Sequence, residues 1–497
     1  MQSPRFHAAW GDIVSLSVWY LLVAYVVCIA VIEMFASRMT VWFVRERRLR
    51  AMKIVTVLLL LVMSIALFLA PTYADSREHL HAAYLISQGE TPFTDFWEQH
   101  SPLWWYALAP LFWLINSPAV IPVIGVVMIL LAIGTLVIVF RTTKEVCGDD
   151  EIAWLSVMLL ALTKHWLGGF VVMKPDPLMG LFFITSLYFL VRYLRHGTHV
   201  SILWCGMFQG LAFMTAQKNF LFIPLFVAIV FFRKGVSWQG MLEAGIFIAS
   251  AALPVLAIGG LLFMTGGLQA LRDAYLLNIV QNKFISSSSP SWTFIVINIS
   301  TGLLQLAVLA LIGVFRYGGL LRRWLIVLVV MGITFFIGTI LGLRYYGNDL
   351  QIIYAVLLAG VAAQGVVVLL RNAGPRGRVW LVLLIILPTV VWIPSFRPMS
   401  DIDEISYYVQ HYNGQPTASS FVFNKDVSWD WFRTRAQPHS LKPMARDFLL
   451  SNGFTVFNMS DGEIADATNI TLLVEVRDEQ AFIDRGFRRC TDTILCR

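Results

Sequence analysis

The chain has 497 residues, of which 58% are apolar and only 13% charged. A soluble domain carries roughly twice that share of charge, so a single soluble globule is excluded. The net charge of +7 would suit a nucleic-acid surface, but the basic residues stand in short clusters between apolar runs, as in the cytoplasmic loops of membrane proteins. The reading is therefore a membrane protein with no nucleic-acid partner.

In chain order the apolar runs predict about twelve spans, near 13–36, 54–71, 118–140, 152–171, 177–194, 201–216, 219–232, 240–264, 293–315, 324–343, 350–370 and 379–394. One set of alternate loops carries seventeen basic residues, beginning with the Arg45–Lys53 cluster and ending with Arg371, Arg376 and Arg378. The opposite set carries six: Arg77, Lys174, Lys218, Arg272, Lys283 and Arg344. By the positive-inside rule the first set is cytoplasmic, and the loops holding Asp75, Lys174 and Arg344 face outside. Both termini then lie outside. The expected fold class is an all-α polytopic membrane protein with a small C-terminal extracytoplasmic α/β domain. Its divisions are an N-terminal helix and basic loop (1–53), a transmembrane module (54–394) and the tail domain (395–497). The first apolar run has no small-residue cleavage site of the signal-peptide kind.

The first outer loop, about 72–117, concentrates ionisable residues against aromatic ones: Asp75, Glu78, His79, His81, Asp95, Glu98 and His100 precede LWWYALAPLFWL. Residues 77–88 have helical spacing, with Leu80, Ala83, Tyr84 and Ser87 on one stripe and Gly89 as a stop. Residues 103–115 read as a helix in the interface, aromatic rings at headgroup depth. Asp75 directly follows a span, a fixed and partly dry position that suits a general base. A capping role for Asp75, with Glu78 completing a capping box, is the competing reading.

Lys174 lies in MKPDP beside Asp176, Lys218 in TAQKNF and Arg344 in LRYYGND, each at an outer span end. Cations there can hold a lipid-linked phosphate and stabilise its charge as it departs. Snorkelling to headgroups is the competing reading for any one of them. Lys164 and His165 fall within an apolar run, where an ionisable side chain is a functional candidate.

After Pro394 the composition turns soluble. SSFVFN, FTVFNMS and ITLLVEV read as strands, DIDEISYYVQHY and KPMARDFLLSN as helices. Cys28, Cys147 and Cys205 lie in or beside apolar spans and read as inert small hydrophobes. Cys490 and Cys496 stand close together, and an extracytoplasmic tail makes a disulfide between them the expected state.

The order Asp75, then Gly89-Glu90-x-Pro92-Phe93-x-Asp95-Phe96-Trp97, then His100-x-Pro102-Leu103, directly after a span, resembles the first outer loop of GT-C fold glycosyltransferases. It is most similar to the polyprenyl- and dolichyl-phosphate-mannose protein mannosyltransferases and the lipid A aminoarabinose transferases. Lys174–Pro177, the segment 210–224 and the segment 344–360 resemble later pieces of that family in the same order, so the resemblance covers about 54–394. It implies a GT-C-like module and transfer of a sugar from a polyprenyl-phosphate donor to a glycan, lipid or protein acceptor on the outer face. It also implies an inverting reaction, with Asp75 as base and Glu78 as its helper. Lys174, Lys218 and Arg344 would bind the donor phosphate, and Asp95, Glu98, His100 and Asp176 would line the site. No cofactor is required; the loop's carboxylates and histidines permit a divalent metal without demanding one. Three departures stand out: Asp75-Ser76 replaces a tandem Asp-Glu, Lys174 replaces an Arg, and the late segment lacks His-Tyr-x-x-Pro.

The expected location is a bacterial inner membrane, with the site facing the periplasm. The rival reading is a transporter or flippase for a lipid-linked sugar, which should place polar residues at mid-membrane and show inverted repeats. Here the polar residues gather at the outer span ends, and no fixed-period repeat is visible.

Overall fold

The computed structural model describes residues 45–69, 74–94, 100–115, 120–163, 166, 169–170, 172–276, 303–316 and 351–374. It also describes residues 377, 381, 385 and 483 and four strand segments of the tail. The expected spans at 13–36 and 324–343, most of that at 379–394, and Lys164 and His165 lie outside the described residues.

Helix α1 (Arg45–Leu69) opens on the basic cluster and runs into the apolar segment. Cations at a helix N-terminus oppose its dipole, so that cluster serves topology rather than helix stability. Next come α2 (Ala74–Ser87), stopped by Gly89 at φ 90°, and α3 (Leu103–Leu114). Then follow α4 (Val120–Cys147) and α5 (Asp150–Ala161), the latter capped by Asp149, whose carboxylate accepts from Glu151 N at 2.8 Å. The single span expected over 152–171 is interrupted: α5 stops at Ala161, and the Thr163 hydroxyl bonds Leu160 O at 2.8 Å while accepting from Trp166 N. Helices α6 (Asp176–His196) and α7 (His199–Thr215) follow. A 3₁₀ turn (Gln217–Phe222) leads into α8 (Ile223–Phe232), and α9 (Trp238–Met264) and α10 (Leu268–Leu276) come next. Helices α11 (Leu303–Val314) and α12 (Gln351–Asn372) complete the described bundle.

Among the described helices, α4, α6, α9 and α12 are long and apolar enough to cross a membrane. The chain is a multi-pass membrane protein. Helix α6 is enclosed by α4, α7 and α12, and its 21 residues span about 30 Å. Leucines and valines on α1, α4 and α9, such as Leu58, Leu130 and Leu256, are more than half exposed, as lipid-facing side chains must be.

Close backbone approach holds the bundle where apolar burial alone cannot, since lipid is as apolar as leucine. At α11–α12 the glycines are reciprocal. A Cβ on Gly313 would run into the Val361 carbonyl, and one on Gly365 into the Leu309 carbonyl. At one end of α6 a buried polar clamp adds specificity. The Tyr193 hydroxyl donates to the fully buried Glu243 of α9, Lys234 Nζ lies 3.4 Å from Glu243 Oε1, and Arg233 covers the Tyr193 ring at 4.4 Å. Gly197 caps α6 at φ 71°, a left-handed backbone that favours glycine, with the Arg233 guanidinium alongside.

In the tail, β1 (Thr417–Ala418), β2 (Leu472–Val474), β3 (Arg488–Arg489) and β4 (Ile494–Cys496) form a sheet ordered β1-β2-β4-β3. β1 and β2 run parallel and the other pairs antiparallel. β2 lies within the expected ITLLVEV strand. The tail's expected helices and its other two strands lie outside the described residues, as does Cys490 with the disulfide expected from it. Cys205 is a buried free thiol within α7, and Cys147 is half-buried at the end of α4, both in helices of apolar spans as expected.

Candidate functional site

The site grows from the start of α6. Pro175 and Pro177 flank Asp176 and set the first turn, where proline's missing N–H costs nothing. Asp176 is buried beside the helix's unpaired N–H groups, whose positive end favours its carboxylate. Two lysines distant in sequence meet on it. Lys218 Nζ pairs with Asp176 Oδ1, and Lys174 Nζ lies 3.4 Å from Oδ2. The lysine side chains keep 25% (Lys174) and 16% (Lys218) of their exposure, so neither ammonium is sealed from an incoming anion. An ammonium has three donors, which allows one lysine to hold both the carboxylate and a phosphate.

Lys218 is fixed from behind. Helix α7 ends as Ala216 turns extended (φ −150°, ψ 120°), and the 3₁₀ turn reverses the chain. Asn219, fully buried, donates through Nδ2 to the Gln209 backbone carbonyl at 3.3 Å and to its side-chain oxygen. A buried amide pair of this kind holds its neighbour rigidly, because breaking it would strand polar groups.

Helix α2 docks onto the same segment. The Ser76 hydroxyl, 1% exposed, accepts from Met173 N at 3.0 Å. Asp75 is the residue before Ser76 and Lys174 the residue after Met173, so one hydrogen bond ties the expected base's helix to the expected phosphate cation. Helix α2 already begins at Ala74, which sets Asp75 inside the first turn rather than at the cap.

The far end of the first loop converges too. Ser101 Oγ donates to Phe213 O at 3.0 Å, leaving its lone pairs for the Tyr275 hydroxyl at 2.7 Å; Gln217 Oε1 is 3.4 Å away. Ser101 thus joins the loop to α7, to α10 and to the residue before Lys218. Loss of water around its hydroxyl pushes the Tyr275 phenol up. It stays a protonated donor through the neutral range.

Between α2 and α3 lies an aromatic wall. Trp105 Nε1 donates to His79 Nδ1 at 3.0 Å, so a neutral His79 carries its proton on Nε2. The His79 and His100 rings meet edge to face at 4.8 Å. Trp104 and Trp105 are both covered by protein, and Trp105 meets α2 through His79. Trp113, at 64%, and Leu114, at 80%, remain broadly exposed at the end of α3. Phe93 takes a left-handed φ of 67° with its ring buried near Trp105. Such a φ costs a non-glycine residue of the order of 1–3 kcal/mol and marks a conformation imposed by its surroundings. Thr94, next to it, donates to Thr265 O at 3.1 Å and pins the loop to the end of α9.

Of the expected site residues, the structure brings together Lys174, Asp176 and Lys218, with His100 in the adjoining loop. Asp75 and Glu78 lie on α2 by their backbone, and their side-chain contacts lie outside the described residues. So do Asp95, Glu98 and Arg344. Among the described residues no three His, Cys, Asp or Glu could hold a metal ion. Sequence reasoning missed Ser76, Ser101 and Tyr275. Isolated hydroxyls carry no pattern, and their importance comes from partners about a hundred residues away or more.

Residues 99–258 match the family described as dolichyl-phosphate-mannose-protein mannosyltransferase. No curated protein sequence matches the chain. Its fold matches the crystal structure of ArnT from Cupriavidus metallidurans bound to undecaprenyl phosphate, at TM-score 0.63 and 11% identity, covering 89% of this chain and 97% of that one. It also matches the oligosaccharyltransferase AglB from Archaeoglobus fulgidus in complex with an inhibitory peptide and a dolichol-phosphate. That match has TM-score 0.54 and 13% identity, and covers 85% of this chain and 69% of the other. The apo form of the Archaeoglobus fulgidus enzyme gives the same score, covering 84% and 69%. The fold is GT-C.

Proposed function

We propose that this chain is a membrane glycosyltransferase that moves a sugar from a polyprenyl-phosphate donor to an acceptor hydroxyl at the outer face of a bacterial inner membrane. The observation that carries this reading is the pair of lysines, Lys174 and Lys218, held on Asp176 beside the docked first turn of α2. The cluster joins a part-exposed cationic site to the helix bearing Asp75. The solved structures of the same fold that hold undecaprenyl phosphate or dolichol-phosphate support a carrier lipid as the ligand class.

In this mechanism Asp75 takes the proton of the acceptor hydroxyl, and Glu78 assists by tuning that carboxylate. The acceptor oxygen attacks the anomeric carbon from the face opposite the phosphate. As the new C–O bond forms, the bond to the phosphate oxygen breaks and its electron pair leaves with the polyprenyl phosphate, so the configuration inverts. Lys174 and Lys218 stabilise the charge that gathers there, with Arg344 as a third cation. A phosphate is a good leaving group, so no separate acid is required. Asp95, Glu98 and His100 border the acceptor side. The domain at 395–497, closed by a Cys490–Cys496 disulfide, lies on the same face.

The test uses purified protein in lipid, a panel of polyprenyl-phosphate sugars and candidate acceptors, with release of free polyprenyl phosphate as readout. Turnover of one donor by wild type, lost in folded Asp75→Asn, supports the reading. Consumption of no donor, with labelled lipid-linked sugar crossing the bilayer, replaces it with a transporter.

A further inference from the structure

A cavity of about 860 Å³ lies at the opposite end of the bundle from the lysine cluster, bounded by α1, α4, α5 and α6. The separation is fixed by α6, which starts at Asp176 and carries Arg195, a cavity-lining residue, in its last turn. Its rim holds four cations, Lys53, Arg141, Lys144 and Arg195, against one carboxylate, Glu145. Two of the four are already engaged: Lys144 pairs with Asp150 at 2.8 Å, and Arg195 lies 3.8 Å from Glu145. Lys53 and Arg141 have no acidic partner among the described residues; both are exposed, and Lys53 rests over the Trp154 ring at 5.3 Å.

Below that rim the walls are apolar, built from Leu60, Leu136, Phe140 and Val157. Val57, Ile133 and Val137 also line it and are 54%, 41% and 45% exposed, so the cavity opens sideways onto the lipid-facing flank of α1 and α4. A cationic mouth at one end of spanning helices, continuous with an apolar throat open toward acyl chains, complements one kind of ligand. That ligand is an amphiphile with a phosphate head and hydrocarbon tail.

We infer that this cavity binds an anionic membrane phospholipid, its headgroup phosphate on Lys53 and Arg141 and one acyl chain along Leu60, Ile133 and Val137. The inference stands on the helices' embedding in a membrane and is independent of the transferase chemistry. The site lies about 30 Å along α6 from the proposed phosphate cluster, so one headgroup phosphate cannot occupy both.

The experiment is native mass spectrometry of the full chain exchanged into equimolar phosphatidylglycerol and phosphatidylcholine. Wild type should retain phosphatidylglycerol about tenfold over phosphatidylcholine, and Lys53→Gln/Arg141→Gln should lose most of that preference. Val137→Trp fills the throat while leaving the cations in place; it should lose the lipid as well. Equal retention of the two lipids by wild type, or an unchanged preference in both folded variants, overturns the inference. Displacement by millimolar glycerol 3-phosphate would mean a soluble phosphate site, and displacement by equimolar polyprenyl phosphate a second carrier-lipid site. Either would also overturn it.

Discussion

Ser76→Ala isolates a hydrogen bond that joins α2 to the segment before α6. The change deletes only the oxygen that accepts from Met173 N at 3.0 Å, in surroundings where Ser76 is 1% exposed. No water reaches the amide to replace it. A buried donor left without an acceptor costs about 1–3 kcal/mol. At about 1.36 kcal/mol per factor of ten, the equilibrium for local undocking of α2 shifts by about 5- to 150-fold. Hydrogen exchange in lipid nanodiscs reads that shift directly, because amides behind a local opening exchange in proportion to its population. Peptides covering residues 74–80 and 172–174 should exchange faster by a factor in that range, while those of α12 should not change. Ser87→Ala serves as the control: its hydroxyl donates within the helix to Tyr84 O at 2.6 Å, so residues 172–174 should be unaffected. Unchanged protection in Ser76→Ala would refute the docking role and, with it, the geometric link between Asp75 and Lys174.

Asp176→Asn leaves two lysines facing each other without their counter-charge. It should lower thermal stability by about 1–3 kcal/mol and yet tighten inhibition by polyprenyl phosphate, since the carboxylate no longer competes for the ammonium groups. Weaker product inhibition would contradict the phosphate role. Gly365→Ala should gain up to about 1 kcal/mol on helix propensity but lose about 1–3 kcal/mol or more where its Cβ meets the Leu309 carbonyl. A net fall in melting temperature is expected, and a rise would refute the close approach. Trp105→Phe keeps most of the buried ring but strands His79 Nδ1; thermal unfolding should show a loss of about 1–3 kcal/mol. Conservative swaps should rank by exposure: Lys174→Arg, at the more open and looser position, should be tolerated better in donor KM than Lys218→Arg.

The membrane class and the helical pieces of the first loop were legible because they rest on one-dimensional signals. Apolar run length gives spans, and the stripe Leu80–Ala83–Tyr84 followed by Gly89 gives α2 with its stop. The lysine cluster was half legible. Lys174 and Lys218 stood out as charges at span ends, but that both would share Asp176 is a property of the folded bundle. The break at Ala161 was missed because hydropathy averages over Thr163, whose hydroxyl turns the chain. The burial of Trp104 and Trp105 was not legible for a related reason: an aromatic helix reads the same whether lipid or protein covers it. Ser101 was not visible at all, since its partners Phe213 and Tyr275 are more than a hundred residues away.

Helix α6 connects these observations physically. Its N-terminus carries a carboxylate and its last turn Arg195 and His196, so both ends complement the helix dipole. Enclosure by α4, α7 and α12 leaves it little freedom to tilt, and the Tyr193–Glu243 clamp fixes one end against α9. The lysine cluster at the other end is therefore held to a rigid rod, and α2 and the first loop are tied around it through Ser76, Thr94 and the branched contacts of Ser101. Under the proposed reading, a rigid mount for the phosphate-side cations suits a transferase. The leaving group must be met by charge already in place.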